Sequence, residues 1–369
     1  MLNFEFPPLG GGASPLCFDI AKRIIKEGHS IDLITMNYKG LKKYEKIEGI
    51  NVYRVPCIRR KKEYSTTLEL FTYLPTAFLK ALKLTKKNKY DINHTHFIIP
   101  TGIISYLLKK IRKLDYVITS HGSDVPEYNP DRFKLEHKLI IPMWKLIIKN
   151  AKRIITPSEH LKNLILKKYK TDKIKVIFNG INIEEKVEEE KEKIILFAGR
   201  LLERKGVQYI IEAIENLDLK GYKVIIAGDG PYRKKLEQIA EKRKSKVQFI
   251  GWIDQKKLKK LYSISKIFIL PSTQESFGMV IAEAMEKNMA VICGKGSACS
   301  EVLGKTGILV NPTSSKQIKK AIEYFIKNPD MIQKAGELGR KRVTKLFNVE
   351  DIAKNYINSY LDVINKKTI

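Results

Sequence analysis

Hydrophobic residues along this chain form short β-branched runs that alternate with longer segments of helical spacing. This rhythm is typical of consecutive strand–helix units in a parallel sheet, so it predicts an α/β fold. In the first half, strands are expected at Ser30–Thr35, Asn51–Val55, Asp91–His96, Tyr116–Ser120 and Arg153–Pro157. In the second half, they are expected at Lys193–Ala198, Lys223–Ala227, Val247–Ile250, Ile267–Leu270, Ala290–Cys293 and Gly307–Val310.

Two domains of this kind are expected, because 369 residues exceed what one hydrophobic core usually organises. The almost wholly charged segment Glu184–Lys193 has no sheet propensity and is the expected linker. The pattern predicts Rossmann-like domains over residues 1–182 and 183–350, followed by a C-terminal helix at 351–369 that packs back toward the first domain. Ligands of such sheets bind at the carboxyl ends of the strands, in a cleft that both sheets would line.

The composition is that of a globular chain with a strong excess of positive charge. Hydrophobic residues make up 43% of the chain, and 69 Lys and Arg against 40 Asp and Glu give a formal charge of +29. Such an excess favours nucleotides, anionic lipid headgroups or nucleic acid as partners. A basic nucleic-acid-binding protein is one alternative, but the chain has no zinc-finger spacing, RNP signature or interleaving of basic and aromatic residues. We therefore expect no nucleic acid partner.

The cysteines and the hydropathy indicate a cytoplasmic protein. The cysteines have neither CxxC spacing nor the density of a secreted scaffold, and they are Cys17, Cys57, Cys293 and Cys299. The longest uncharged stretch, Phe97–Leu108, contains a proline and a glycine and is too short to span a bilayer. The first residues do not resemble a signal peptide. We expect a protein that is soluble, or bound to a membrane surface from outside.

A run of three glycines, Gly10–Gly12, precedes a helical pattern over Ser14–Glu27. Consecutive glycines let backbone amides approach an anion, and the helix dipole favours a phosphate there, so Gly11 and Gly12 are candidate phosphate-binding residues. The alternative is a flexible turn. The spacing is not that of the GxGxxG fingerprint, which also argues against a nicotinamide-dependent dehydrogenase.

A histidine follows the fourth predicted strand, in the segment Thr119–Asp124. His121 is therefore a candidate catalytic residue at the carboxyl edge of a sheet, although a histidine in a turn often has only a structural role. Two further histidines, His94 and His96, lie on the same face of a strand but lack an obvious third ligand, so no metal site is expected.

Charged and glycine-rich loops follow the first two predicted strands of the second half. Arg200 and Lys205 come after the first of these strands and could both contact a diphosphate, Arg with a rigid fork and Lys with a mobile charge. The next strand ends in a turn with Gly228 and Gly230, which either approaches a nucleotide or only links strand to helix.

Two glutamates lie on either side of a helix start in the segment ESFGMVIAE. Glu275 belongs to the loop and Glu283 to the helix, where each carboxylate can accept hydrogen bonds from sugar hydroxyls. Glu283 has apolar neighbours and is expected to have a partner, whereas Glu286 fits an exposed helical position better. The loop amides near Phe277 and Gly278 are expected to face the same ligand.

An amphipathic helical stretch in the first half has basic residues on both sides. Its apolar residues are Leu68, Phe71, Leu74, Phe78, Leu82 and Leu84, and its basic flanks are Arg59–Lys62 and Lys86–Lys87. This pattern fits contact with an anionic membrane and hence a lipid-linked acceptor. The alternative is a helix packed on the first sheet with a solvated, lysine-rich edge.

The motifs together resemble those of retaining glycosyltransferase family 4, the glycosyl transferases group 1. FPPLGGG, TSHGSDV, VIFNGI, LFAGRLLERKG, IAGDGP and LPSTQESFGMVIAEAM occur in the family's order along nearly the whole chain. The resemblance implies the GT-B architecture, in which two Rossmann-like domains face each other across a cleft. It also implies a metal-independent hexosyltransferase without a cofactor, which moves a hexose or N-acetylhexosamine from a UDP or GDP sugar to a glycan or lipid-linked acceptor.

The resemblance also implies roles for the candidate residues. The catalytic set is His121 beside the transferred sugar, Arg200 and Lys205 on the diphosphate, and Glu275 on the sugar hydroxyls. The donor site is completed by Glu283 on the ribose and by Gly11, Gly12, Gly228, Gly230, Ser276, Phe277, Gly278 and Met279. The loop Gly294–Glu301 departs from the family's paired glycines, which leaves its nucleotide contacts open. A sugar-nucleotide epimerase of the same architecture is the nearest enzymatic alternative.

Overall fold

The structure is a computed structural model that describes residues 1–62, 64–126, 128, 134–185 and 189–365, with the side chains of 134–139 left out. The chain forms two compact units, the first made of Met1–Gly180 with Val349–Ile369 and the second of Ile181–Asn348. The segment Glu184–Lys193, expected as the linker, falls inside the second unit, so the change of unit comes earlier in the chain than the charge pattern indicated. Its residues 186–188 lie outside the described residues.

The first unit contains a mainly parallel sheet and the helices that cover it. Its strands are β1 (Asp32–Met36), β2 (Tyr44–Ile47), β3 (Ile50–Val55), β4 (Asn93–His96), β5 (Tyr116–Thr119), β6 (Arg153–Thr156) and β7 (Ile174–Val176). Its first five helices are α1 (Ala13–Lys26), α2 (Thr67–Lys87), α3 (Thr101–Arg112), α4 (Lys134–Asn150) and α5 (Glu159–Lys168). β2 and β7 were not expected from the sequence.

The amino-terminal residues occupy the centre of this sheet. Leu2 bridges Ile34 in β1 and Thr95 in β4, and so joins the set β1-β3-β2 to the set β4-β5-β6-β7. Its amide donates to the carbonyl of His94 at 2.9 Å, and its carbonyl accepts from the amide of His96 at 2.9 Å. The strand pairs are parallel except in the hairpin β2–β3. The glycine loop that follows Leu2 therefore starts at the carboxyl edge of the sheet.

The second unit has the strand order of a doubly wound fold. Its strands are β8 (Glu192–Ala198), β9 (Lys223–Ala227), β10 (Val247–Gly251), β11 (Ser265–Leu270), β12 (Ala290–Gly294) and β13 (Ile308–Val310). Its helices are α6 (Val207–Ile214), α7 (Arg233–Lys242), α8 (Gln255–Ile264), α9 (Met279–Glu286), α10 (Cys299–Leu303), α11 (Ser315–Lys327) and α12 (Pro329–Leu346). The order β10-β9-β8-β11-β12-β13 is fully parallel and reverses between β8 and β11, which is where ligands of such sheets bind.

The last helix, α13 (Val349–Asn365), packs on α1 in the first unit. Its residues Ile352, Tyr356 and Tyr360 belong to the same hydrophobic cluster as Ile20 and Ile24 of α1. Two distant stretches of the chain therefore share one core.

Helix α2 separates its two faces more sharply than the sequence indicated. Leu84 is buried, and Leu74, Phe78 and Leu82 pack against the same core, so they do not belong to an exposed apolar face. Leu68 and Phe71 are exposed at 64% each, as is Leu79 at 65%. Among the described residues, no helix is long and apolar enough to cross a membrane.

Candidate active site

A basic and an acidic side chain meet at the point where the strand order of the second unit reverses. Lys205 follows β8, Glu275 follows β11, and the Lys205 Nζ atom forms an ion pair with Glu275 Oε1. The two loops are joined by their backbones, since the Thr273 amide donates to the Arg204 carbonyl at 2.9 Å. Arg200, which also follows β8, is exposed. The structure thus brings two of the predicted catalytic side chains into direct contact.

The loop after Glu275 ends at a helix N-terminus that can receive an anion. Gly278 precedes α9 with φ of 97°, a left-handed conformation that favours glycine. Within this described segment, no side chain caps the helix and its first turn has no acidic residue. The first turn itself therefore supplies no negative charge to offset the positive end of the helix dipole. The Phe277 ring packs edge-on against the Phe347 ring, with 5.2 Å between the ring centroids. This side chain therefore anchors the loop to the core of the second unit.

The altered loop after β12 contacts Glu275 through the backbone. The Ala298 amide donates to the Glu275 carbonyl at 3.4 Å. A Cβ on Gly294 would lie 2.5 Å from the Ser272 carbonyl oxygen, so the strand end is packed closely on the loop after β11. The loop Gly294–Glu301 is therefore held against the loop that carries Glu275.

Glu283 has the partner that its apolar neighbours predicted. The Tyr262 hydroxyl donates to Glu283 Oε2 at 3.2 Å. Burial raises the pKa of Glu283, and the Tyr262 hydrogen bond and Lys259 oppose that shift. A carboxylate held in this way keeps its second oxygen for another donor.

The expectation that Glu286 is an exposed helical residue is wrong. Glu286 is buried and pairs with Arg340 at 2.9 Å and with Lys287 at 3.1 Å. It also accepts from the amide of Glu184 at 3.2 Å. Arg340 is 54 positions away in the sequence, so local spacing gave no sign of this pairing.

The two glycines in the turn after β9 are required by the packing of this turn. A Cβ on Gly228, at φ of 133°, would lie 1.9 Å from the Gly199 carbonyl oxygen. A Cβ on Gly230 would lie 2.3 Å from the Leu201 carbonyl oxygen. The turn therefore needs both glycines in order to pack on the loop after β8, with or without a ligand.

In the first unit, the glycine loop holds a carboxylate. The Gly11 amide donates to Glu5 Oε2 at 3.1 Å, and burial raises the pKa of Glu5. Gly12 precedes α1, whose first turn, in this described segment, has no side-chain cap and no acidic residue. Glu5 was not recognised from the sequence, although it lies only six residues from Gly11. An anion that binds the Gly11 amide has to displace this carboxylate.

The loop that carries His121 is anchored by Asp124. Asp124 Oδ1 accepts from the amides of His121 and Gly122 at 3.0 and 2.9 Å, and from the Ser120 hydroxyl at 3.0 Å. Its other oxygen accepts from the Ile98 amide at 2.7 Å. Burial lowers the pKa of His121 to about 3, so its ring is neutral at physiological pH. Asp124 therefore sets the position of the candidate histidine.

The other histidines belong to a buried network. His94 Nε2 lies 2.8 Å from Thr119 Oγ1, and its Nδ1 lies 2.8 Å from the Tyr360 hydroxyl in α13. His96 Nδ1 lies 3.0 Å from His121 Nε2. In the described part of the chain, no three His, Cys, Asp or Glu side chains are grouped as a metal site.

Comparison with known proteins identifies the family. The profile of glycosyltransferase family 4 matches residues 10–185, and that of glycosyl transferases group 1 matches residues 178–342. An uncharacterized glycosyltransferase of Methanocaldococcus jannaschii is 30% identical over 98% of this chain and 97% of its own. The chain belongs to glycosyltransferase family 4.

Solved structures confirm the fold class of this glycosyltransferase. Sucrose-phosphate synthase from Thermosynechococcus elongatus is similar with a TM-score of 0.84 at 21% identity, covering 99% of this chain and 98% of its own. Anabaena HepE, solved with UDP and glucose, is similar with a TM-score of 0.78 at 19% identity, covering 97% of each chain. The α/β fold is therefore of the GT-B type, with two Rossmann-like units, and the protein is an enzyme that transfers a glycosyl group.

The candidate residues of the glycosyltransferase are divided between its units. Gly11, Gly12 and His121 lie in the first unit, and all the others lie in the second. Within the second unit, the loops after β8, β9 and β11 bring the candidates to one edge of the sheet. The sequence did not identify Glu5, Tyr262 or the contact of His96 with His121, and it placed Asp124 beside His121 without recognising that Asp124 anchors the loop.

Proposed function

We propose that this glycosyltransferase is retaining and metal-independent, and that it moves a hexose or N-acetylhexosamine from a nucleotide-diphosphate sugar to a glycan or lipid-linked acceptor. The observation that carries the proposal is the Lys205–Glu275 ion pair at the reversal of the strand order, beside the uncapped N-terminus of α9. The donor is a UDP or GDP sugar, and the likeness to HepE, solved with UDP and glucose, supports UDP.

The positive groups of the second unit suit the donor diphosphate. Arg200 and Lys205 both follow β8, and the N-terminus of α9 adds the amides of the loop Ser276–Met279. Negative charge builds up on the diphosphate as the sugar leaves, and fixed cations and helix dipoles stabilise such charge without rearrangement. The turn with Gly228 and Gly230 packs on the loop after β8 that carries Arg200, and in this proposal it lies beside the nucleotide.

The two glutamates bind hydroxyl groups in this proposal. Glu275 accepts from the hydroxyls of the transferred sugar, and Glu283, held by Tyr262, accepts from the ribose. In the first unit, Gly11 and Gly12 contact the donor phosphate and His121 contacts the sugar. The carboxylates of Glu275 and Glu283 therefore position the donor and do not act as a hydrolytic acid and base.

The chemistry needs no protein nucleophile. The bond between the sugar C1 and the diphosphate oxygen breaks, and a bond from C1 to the acceptor oxygen forms on the same face. Because the new bond forms on the face from which the diphosphate leaves, the anomeric configuration is retained. The acceptor hydroxyl gives its proton to the departing phosphate oxygen. Cationic side chains carry the charge stabilisation that a metal ion supplies in other transferases.

We also propose that the enzyme works in the cytoplasm, at the surface of an anionic membrane that holds a lipid-linked acceptor. The support is the outward face of α2, where Leu68, Phe71 and Leu79 are exposed and where exposed lysines, Lys83, Lys86 and Lys87, follow toward the end of the helix. The only acidic residue of this helix, Glu69, is buried in the capping box with Thr66, so the exposed face has no negative charge. Apolar and cationic side chains on one helix face match an anionic interface.

A ligand panel tests the donor assignment. Thermal unfolding of the full chain is measured with UDP, GDP, ADP and their sugars, and saturation at about 100 times the dissociation constant adds about 2.7 kcal/mol of stability. We expect a shift with UDP or GDP compounds that Lys205→Ala weakens. No shift with any nucleotide contradicts the proposal, as does recovery of an isomerised donor without transfer. The anomeric configuration of the product, read by NMR with and without EDTA, tests retention and metal independence.

A further inference from the structure

Two histidine rings of the first unit share a hydrogen bond to which the proposed function assigns no role. His96 ends β4, and His121 follows the neighbouring strand β5 by two residues. His96 Nδ1 lies 3.0 Å from His121 Nε2. The ring planes differ by only 9°. The separation of the ring centroids, 5.3 Å, is the sum of the Nδ1–Nε2 distance and the two ring radii. The bond therefore lies in the plane of both rings, as a strong ring–ring hydrogen bond requires.

Only one proton lies between the two rings. Burial lowers the pKa of both histidines, for His121 to about 3, so both rings are neutral at physiological pH. A neutral imidazole carries its proton on one nitrogen and accepts on the other. Either His121 donates from Nε2, or His96 donates from Nδ1, and the choice fixes the tautomer of each ring.

The surroundings of His96 decide between these two states. Within the described residues, His96 Nε2 is buried and has no hydrogen-bond partner. If His121 donated, His96 would carry its own proton on this nitrogen as a buried N–H without an acceptor. If His96 donates, the same nitrogen has only an unused lone pair. Buried N–H groups without partners are the rarer case in folded proteins.

We propose that His96 is a positioning residue, which donates from Nδ1 to His121 Nε2 and thereby fixes the proton of His121 on Nδ1. No described residue forms a hydrogen bond with His121 Nδ1. His121 then presents a neutral N–H donor, which suits a sugar oxygen, instead of an acceptor. The sugar contact rests on the proposed function, but the tautomer does not.

Nitrogen NMR of the full chain tests the tautomer directly. The protein is labelled with ¹⁵N-histidine, the His121 signals are assigned with His121→Asn, and two-bond correlations at neutral pH show which nitrogen carries the proton. We expect the proton on Nδ1 of His121 in the wild type. A proton on Nε2 of His121 in the wild type would overturn the proposal without any variant of His96.

Variants separate positioning from structural support. His96→Leu removes the donor, and we expect the Nε2–H form of His121 to appear and the turnover number to fall about 10- to 100-fold, with a smaller effect on KM. His96→Asn keeps a donor near the Nδ1 position and should restore the Nδ1–H form. Tyr360→Phe removes the neighbouring bond to His94 and should leave His121 unchanged. An unchanged tautomer in His96→Leu would also contradict the proposal, whereas a correct tautomer without sugar transfer would count against the proposed function alone.

Discussion

Lys205 and Glu275 neutralise each other in the structure, and the proposed donor has to compete with that ion pair. Their side chains are only 15% and 12% exposed, so neither charge is well solvated when its partner is removed. A donor that brings a diphosphate to Lys205 and hydroxyls to Glu275 satisfies both charges again. The ion pair therefore holds both side chains in place for a ligand that separates them.

The first prediction concerns the Glu275 carboxylate. Glu275→Ala should lower turnover of the donor by roughly 10- to 100-fold, because a hydrogen bond to a charged group contributes about 1.5–3 kcal/mol. Glu241→Ala is the matched control, since Glu241 is exposed in α7. Glu286→Ala is unsuitable as a control, because it would break a buried ion pair. Equal rates for the two alanine variants in a steady-state transfer assay would rule out the role of Glu275.

The role of a single residue could be predicted from the sequence where that role depends on neighbouring residues in the chain. The apolar neighbours of Glu283 predicted a partner for its carboxylate, and Tyr262 fulfils that prediction. The partners of Glu286 and His121 could not be predicted in this way. Arg340 lies far along the chain from Glu286, and His96 meets His121 only because β4 and β5 pair in register.

At the scale of elements, helix α2 combines a structural and an exposed face. The capping box of Thr66 and Glu69 fixes its start, and Tyr73, Ala77 and Ala81 bury its inner face. The outer face carries apolar side chains in its first turns and lysines in its last ones. Because the inner face alone secures the fold, the outer side chains can be changed without loss of core packing.

The second prediction tests this outer face with vesicles. The triple variant Leu68→Ser, Phe71→Ser and Leu79→Ser should reduce flotation with phosphatidylglycerol vesicles at least about 10-fold, because each exposed side chain would otherwise bury apolar area in the interface. A control variant with three exposed residues elsewhere, Tyr324→Ser, Leu338→Ser and Leu361→Ser, should bind normally. Equal binding of the wild type to neutral and anionic vesicles would contradict the role of the lysines. Absence of binding by the wild type would contradict the membrane contact and would indicate that a protein partner covers this face.

The strands show what hydrophobic patterning can and cannot predict. Each strand expected from a β-branched run is present, with ends that differ by at most two residues. β2 was missed because it is a half-exposed edge strand whose side chains include Glu45 and Lys46. β7 was missed because it has three residues, all only partly buried. Short strands at a sheet edge bury too little apolar surface to leave a pattern.

At the scale of the whole molecule, the first unit is completed by α13, the last helix of the described chain. α13 follows the entire second unit, yet its tyrosines enter the network around β4 and β5. The Thr119 hydroxyl lies 3.3 Å from the Tyr356 hydroxyl, and the Tyr360 hydroxyl lies 2.8 Å from His94. The first unit therefore reaches its full core only when the carboxyl-terminal segment is present, which makes its folding depend on contacts across most of the chain.

The third prediction uses this dependence. Tyr356→Ala removes a fully buried ring between α13 and the sheet and should cost about 3–5 kcal/mol, whereas Leu361→Ala, at an exposed position of the same helix, should cost little. Hydrogen exchange of the full chain locates the effect. Amides of α1 and β5 should exchange faster in Tyr356→Ala, while those of β8 and β11 should keep their wild-type rates, because the lost contacts belong to the first unit alone. Faster exchange throughout both units would mean that the units unfold together, and similar effects of the two variants would mean that α13 contributes nothing to this core.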